Sequence, residues 1–165
     1  MKYTREENYK IEGFMCAREL AWLHEKARSM DSIVEIGSFM GRSTYALLHG
    51  CKGTVWAVDH FRKFGEIDLW KEFQKNVGHY KNLKVLKMLS TNGAKKFKDK
   101  SVDMVFIDAS HDYEAVRDDI KSWYPKAKKL ICGHDYKSKH PGVMQAVKER
   151  FGEVEVFETI WFKYL

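Results

Sequence analysis

A chain of 165 residues, 44% hydrophobic and 32% charged, has the size and composition of one globular domain, and no apolar run approaches the roughly 20 residues of a membrane helix. The net charge of +6 raises nucleic acid as a partner, but the lysines, such as Lys81, Lys87, Lys96, Lys100 and Lys129, are dispersed, which favours a solvated surface instead. Cys16, Cys51 and Cys132 are odd in number and form no CxxC pair, which excludes a zinc or disulfide framework and predicts reduced, packed thiols.

The opening stretch MKYTREENYKIEG is polar and lacks the apolar core of a secretory signal, so the expected location is cytoplasmic. Helical spacing over 14–28 completes an N-terminal helical segment, 1–30, ahead of a core at 31–165; the whole of 1–165 reads as one domain. The core opens on an apolar strand at 33–36, followed by VEIGSFMGRST (34–44) and a helix at 43–49. Glycines four apart between a strand and a helix let a ligand approach the backbone and the helix N-terminus. The spacing is GxxxG, neither the GxGxxG of dinucleotide enzymes nor a phosphate loop ending in GK[ST]. The alternative is a plain cap, with Gly37 making the turn and Ser43 or Thr44 satisfying backbone groups.

The next strand, 54–58, ends at Asp59, 22 positions after Gly37, where a carboxylate at the neighbouring strand tip can accept from ribose hydroxyls. A helix at 69–77 and a strand at 83–89 lead to Ser90 and Thr91; Ser90 equally suits an N-cap for a helix beginning near Asn92. The strand at 102–107 delivers Asp108, with His111 three residues on, before a helix at 113–123. The run at 130–132 delivers His134 and Asp135, before a helix at 143–150. This alternation is the pattern of a doubly wound α/β sheet. Two short strand-like pieces at the end, 153–157 and 160–164, should pair antiparallel. Pro125 ends the helix carrying Trp123, and Pro141 lies in the loop before the last helix.

If the strands carrying Asp108 and Asp135 are neighbours, the two carboxylates repel unless a cation or proton lies between them. A divalent ion is one solution, and carboxylates favour magnesium, calcium or manganese. His111 is the candidate general base, since an imidazole titrates near neutrality; its alternative role is to cap the helix starting near Asp112. Asp118 and Asp119 read as surface charges, and Trp56, Phe106 and Trp123 as core.

From about Ile11 onward the chain resembles class I S-adenosylmethionine-dependent methyltransferases. The resemblance rests on the ExGxxxGxS turn, the acid after the second strand, VDMVFIDASHDYEAVRDDIKSW, LICGHDY and PGVMQAVKERF. The last three segments resemble the subgroup of macrocin and rhamnosyl O-methyltransferases and cephalosporin-hydroxylase-like proteins. The resemblance implies a Rossmann-like, mostly parallel seven-stranded sheet with a C-terminal antiparallel strand, and transfer of a methyl group to a small-molecule hydroxyl such as that of a sugar. It implies that Glu35, Gly37, Ser38, Gly41 and Ser43 hold the methionine end of the cofactor, that Asp59 binds the ribose, and that His60, Ser90 and Thr91 lie by the adenine. Asp108 also borders the cofactor. Many relatives carry an acid just before that serine, where this chain has Leu89.

The resemblance further implies a magnesium or manganese ion held by Asp108, His134 and Asp135, chelating the acceptor hydroxyl, and it allows a homo-oligomer. Relatives often have an acid or amide at the position of His134. Three rivals remain: a nicotinamide dehydrogenase, disfavoured by the missing GxGxxG; a nucleic-acid methyltransferase, disfavoured by the absence of an NPPY motif; and a silent cofactor-binding domain.

Overall fold

Along the first strand, alternate residues enter opposite layers: Ile33 packs into one buried cluster, Val34 and Ile36 into another. That is the period of two of a pleated strand covered on both faces. The computed structural model, which describes residues 4–165 apart from the Arg5 side chain, repeats the alternation with Val55 and Ala57 against Val58, and Met104 and Phe106 against Val105 and Ile107.

The strands are β1 (Ser32–Ile36), β2 (Thr54–Asp59), β3 (Leu83–Lys87), β4 (Val102–Ile107), β5 (Ala127–Gly133), β6 (Glu155–Phe157) and β7 (Ile160–Tyr164). They form one sheet in the order β3-β2-β1-β4-β5-β7-β6. Strands β1 to β5 pair in parallel, and β7 runs antiparallel to both β5 and β6. This is the expected doubly wound seven-stranded arrangement. Helices α2 (Ala17–Ala27), α3 (Arg42–Gly50) and α4 (Leu69–Val77) cover one face, with α1 (Arg5–Lys10) against α2 and α3. Helices α5 (Ser90–Ala94), α6 (Tyr113–Trp123) and α7 (Pro141–Phe151) cover the other. Among the described residues no helix is long and apolar enough to cross a membrane.

Several boundaries differ from expectation for physical reasons. Helix α2 starts at Ala17, not Phe14, because residues before it are held out of the helix: the Arg42 guanidinium donates to the carbonyls of Ile11 (2.5 Å), Gly13 (2.7 Å) and Met15 (3.2 Å). Phe14 is therefore 81% exposed, and Cys16 is exposed rather than packed. Strand β3 stops at Lys87 because Leu89 is the N-cap of α5, and Pro141 opens α7 rather than preceding it, where its missing N–H costs nothing. Asp119 is buried, not a surface charge, and Trp56 is only partly buried.

Trp123 is fully buried between α6 and α5, and its indole N–H donates to Ser90 Oγ at 2.8 Å. Trp123→Ala should therefore cost about 3–5 kcal/mol, read as a lowered urea midpoint. Trp123→Phe should recover more than half of that, because it restores most of the buried ring but not the donor.

Candidate active site

In the strand order the direction of winding reverses between β1 and β4, which opens a crevice at the carboxyl edge of the sheet. Two hollows lie there. One, of about 330 Å³, is lined by Gly37, Asp59, His60, Met88, Ser90 and Asp108; the other, of about 560 Å³, by Ser38, Ser43, Asp108, His111, His134, Asp135, Lys137 and His140, among others. Gly37, Phe39, Asp108 and Ala109 line both, so the hollows share a wall with Asp108 at their junction.

The glycine turn leaves β1 with Gly37 at φ 84° and Gly41 at φ 94°. A Cβ on Gly37 would lie 2.2 Å from the Asp108 carbonyl oxygen, and one on Gly41 2.9 Å from Val77. The glycines are thus demanded by the turn's own packing against β4 and α4, rather than only by a ligand's approach. Phe39 also takes a positive φ of 47°, as does Phe61 at 49°, conformations that cost of order 1–3 kcal/mol. Asp59 offsets both: its Oδ2 accepts from the backbone N–H of Ser38 (2.9 Å) and Phe39 (3.1 Å), and its Oδ1 from that of Phe61 (2.7 Å).

Glu35 is fully buried, and Thr44 Oγ1 donates to its Oε2 at 2.5 Å. Burial pushes the Glu35 carboxyl up to about 7, against the opposing hydroxyls of Ser43, Thr44 and Ser38. Its Oε1 and Ser38 Oγ are buried without a hydrogen-bond partner. Orphaned polar atoms in such a place are expensive. They fit a bound group bearing an ammonium or hydroxyl, as the methionine end of the implied cofactor does.

The other expected cofactor contacts divide. Ser90 borders the smaller hollow, though its oxygen already accepts from Trp123. His60 stands half-exposed at the rim, its Nδ1 accepting from Arg62 N–H at 3.0 Å. Thr91 is exposed and lies outside the residues lining the hollow.

Adjacent β4 and β5 bring Asp108 and Asp135 together as expected, but the space between them is filled. The buried His134 ring sets Nδ1 3.5 Å from Asp108 Oδ1 and 3.4 Å from Asp135 Oδ2, with Nε2 3.1 Å from Glu19 Oε1 on α2. Burial alone would lower the His134 pKa, yet contact with Asp108, Asp135 and Glu19 pushes it up to about 12. Burial likewise opposes ionisation of Glu19, but His134, Thr159 and the Cys16 N–H hold its carboxyl down to about 2. Asp135 is held well below the usual carboxylate range, His134 and Lys137 overcoming its burial.

Asp135 collects further partners. His111 Nε2 lies 2.6 Å from its Oδ2, Lys137 Nζ pairs with its Oδ1, and His140 Nε2 is 3.7 Å from Oδ1. The His111 and His140 rings stack at 4.0 Å. His111 therefore faces Asp135 rather than capping α6, whose N-cap is Asp112.

One ligand atom from each of Asp108, His134 and Asp135 falls within 4.8 Å of the others, the spacing the resemblance implies for a divalent ion. Donor atoms of His111, Asp135 and His140 share that spacing. In both groups the side chains already face one another: the His134 ring lies between the two carboxylates, and the Lys137 ammonium pairs with Asp135.

Glu19, Lys137, His140 and the aromatic wall of Phe14, Phe39 and Phe64 are not evident from the strand-end motifs. Glu19 had a signal: it shares the buried stripe of α2 with Leu20, Leu23 and Ala27, and a carboxylate there requires a partner. The aromatic wall had none, since Phe14 and Phe64 reach Phe39 from separate loops, with centroids 5.6 and 5.4 Å from its ring.

A family described as "Methyltransferase domain" matches residues 34–136. No curated protein matches the chain. Among solved structures it is similar to an S-adenosylmethionine-dependent O-methyltransferase from Thermotoga maritima, at 14% identity and TM-score 0.72, covering 97% of this chain and 69% of that one. It is similar to a Bacillus cereus O-methyltransferase in complex with SAH, at 15% identity and TM-score 0.71, covering 98% and 90%. It is also similar to an SAH-bound methyltransferase from Podospora anserina, at 13% identity and TM-score 0.70, covering 96% and 84%.

Removing one partner of a buried ion pair strands the other, so Glu19→Gln should destabilise the fold by about 3 kcal/mol near neutral pH, measured by urea unfolding. Glu19 titrates near 2 when folded and from 4.5 in the reference state, so its contribution is present above about pH 4.5 and lost as pH falls toward 2. The variant's stability should accordingly fall less steeply over that interval than the wild type's.

Proposed function

Because the chain belongs to the methyltransferase-domain family over residues 34–136, we propose that it moves the methyl group of S-adenosylmethionine to a hydroxyl of a small molecule. The observation that carries this reading is the pair of hollows meeting at Asp108, one lined by Gly37, Asp59, His60 and Ser90, the other by Ser38, Ser43 and His111, with buried polar atoms of Glu35 and Ser38 unpaired at the glycine turn. Glu35, Ser38 and Ser43 take the methionine end, with Gly37 and Gly41 shaping the turn. Asp59 has acceptor capacity left for the ribose beside its backbone contacts. His60 and Ser90 border the adenine, and Thr91, from its exposed position, does not.

The acceptor enters the larger hollow. Phe14, Phe39 and Phe64 offer a wall for the apolar face of a ring, while His111, Lys137 and His140 face polar groups. A sugar ring suits such mixed walls, and the resemblance to macrocin and rhamnosyl O-methyltransferases puts sugars first among acceptors to be tried.

When bound, the cofactor supplies an electrophilic methyl group on a sulfonium. The protein aligns the acceptor oxygen in line with the carbon–sulfur bond, whose electron pair returns to sulfur as the oxygen–carbon bond forms. His111 takes the hydroxyl proton. No step passes through a divalent ion.

Calorimetric titration should show saturable binding of S-adenosylmethionine and S-adenosylhomocysteine and none of NAD; absence of the first two from a folded sample would sink the reading. Docking an ammonium against Glu35 expels the proton that burial retains, so affinity for S-adenosylhomocysteine should rise from pH 5.5 to 7, by at most about tenfold per unit. Glu35→Gln should weaken binding about tenfold at pH 7 and remove the slope. In a methyl-transfer assay over a panel of sugars and phenols, His111→Ala should lower kcat about a hundredfold or more while leaving S-adenosylhomocysteine affinity within about twofold.

A further inference from the structure

The structure assigns Asp135 the role of a positioning residue: paired with His111 it forms a carboxylate–imidazole dyad that deprotonates the acceptor without a divalent ion, the space between Asp108 and Asp135 being occupied by the side chain of His134. This rests on the methyltransferase reading above, but its central claims about His111 and the filled ion position can be tested without turnover.

Three observations carry it. The first is occupancy. The His134 ring sits between the carboxylates with its side chain 3% exposed, and it is fixed from behind by Glu19, itself tied to Thr159 Oγ1 (2.7 Å) and the Cys16 N–H (2.9 Å). The ring and the two carboxylates are thus already in contact with one another.

The second is saturation of Asp135. A carboxylate offers about four lone-pair positions. Here His134 and His111 take one oxygen, and Lys137 and His140 approach the other. Those contacts hold Asp135 at a positive φ of 61°, a conformation an aspartate keeps only when its surroundings enforce it. Donor atoms of His111, Asp135 and His140 lie within 4.8 Å of one another, but Asp135 already pairs with the Lys137 ammonium, which an ion there would have to displace.

The third is direction. His111 Nε2 lies 2.6 Å from Asp135 Oδ2, a separation that places a proton between them. With Nε2 as the donor, the neutral ring's lone pair is on Nδ1, the one nitrogen left to accept from a substrate hydroxyl. As the hydroxyl oxygen bonds to the methyl carbon and the sulfonium's carbon–sulfur pair returns to sulfur, the proton passes to Nδ1. The resulting imidazolium is stabilised by Asp135 through Nε2, as the buried carboxylate does in a serine-protease triad.

The first test uses the wild-type chain alone. Manganese titration followed by electron paramagnetic resonance should leave the free-ion signal undiminished at millimolar metal, and nitrogen NMR should find the neutral His111 ring protonated on Nε2. Stoichiometric uptake of manganese at micromolar concentration, or a neutral ring protonated on Nδ1, would overturn the dyad whether or not an acceptor is known. The second test uses Asp135→Asn and an acceptor from the panel. The variant should lose about a hundredfold in kcat with acceptor KM and S-adenosylhomocysteine affinity within about twofold, and wild-type kcat should survive excess EDTA. Unchanged kcat in the variant, or activity lost to EDTA and restored by magnesium, would refute the assignment. If no S-adenosyl ligand binds while the first test succeeds, the methyltransferase reading fails and the side-chain arrangement stands.

Discussion

The ion-pair cluster around His134 is the interaction on which the site's architecture depends. One buried ring contacts Glu19 from α2, Asp108 after β4 and Asp135 after β5, and Glu19 extends the connection to Thr159 ahead of β7. Taking four ionisable groups out of water is costly, and the cost is offset only because every group has oppositely charged or hydrogen-bonding neighbours. The result is a rigid joint between the first long helix and the catalytic edge of the sheet.

The strand-end carboxylates share a second property. Asp59 fixes Phe39 and Phe61, both in left-handed backbone conformations, while Asp135 is itself left-handed and fixed by its partners. Charge-assisted hydrogen bonds are strong enough to sustain such turns. They shape the two hollows directly, because Phe39 lines both and Asp135 lines the larger. Acidic residues at strand tips therefore form the site's walls before any ligand arrives.

This explains what could be read from the chain and what could not. Apolar runs separated by helical spacing are local signals, so the sheet, its helices and the meeting of Asp108 with Asp135 were all legible. The content of the gap between those carboxylates was not. It depends on Glu19, over a hundred positions earlier, reaching His134 across the sheet edge, and no spacing rule encodes that contact. The same limit applies to Asp119, whose helical position looks solvent-facing until α5 packs Ser90 beside it. Phe14 was misread for the opposite reason: its helical spacing was genuine, but Arg42 captured the preceding carbonyls and held the backbone extended.

Arg42 also joins the two halves of the site. It is the first residue of α3, directly after the glycine turn, and its guanidinium holds the carbonyls of Ile11, Gly13 and Met15 while lying over the Tyr9 ring at 4.7 Å. The segment it holds supplies Glu12, Gly13, Phe14 and Met15 to the larger hollow. One wall of the acceptor space thus hangs from the turn that bounds the cofactor space. A displacement of that turn would be transmitted to Phe14 through four hydrogen-bonded backbone and side-chain groups rather than through the sheet, whereas Asp108, His134 and Asp135 are anchored to β4, β5 and α2 and would stay in place. The larger hollow is built with one compliant side and one rigid side, and His111, held by Asp135, belongs to the rigid one.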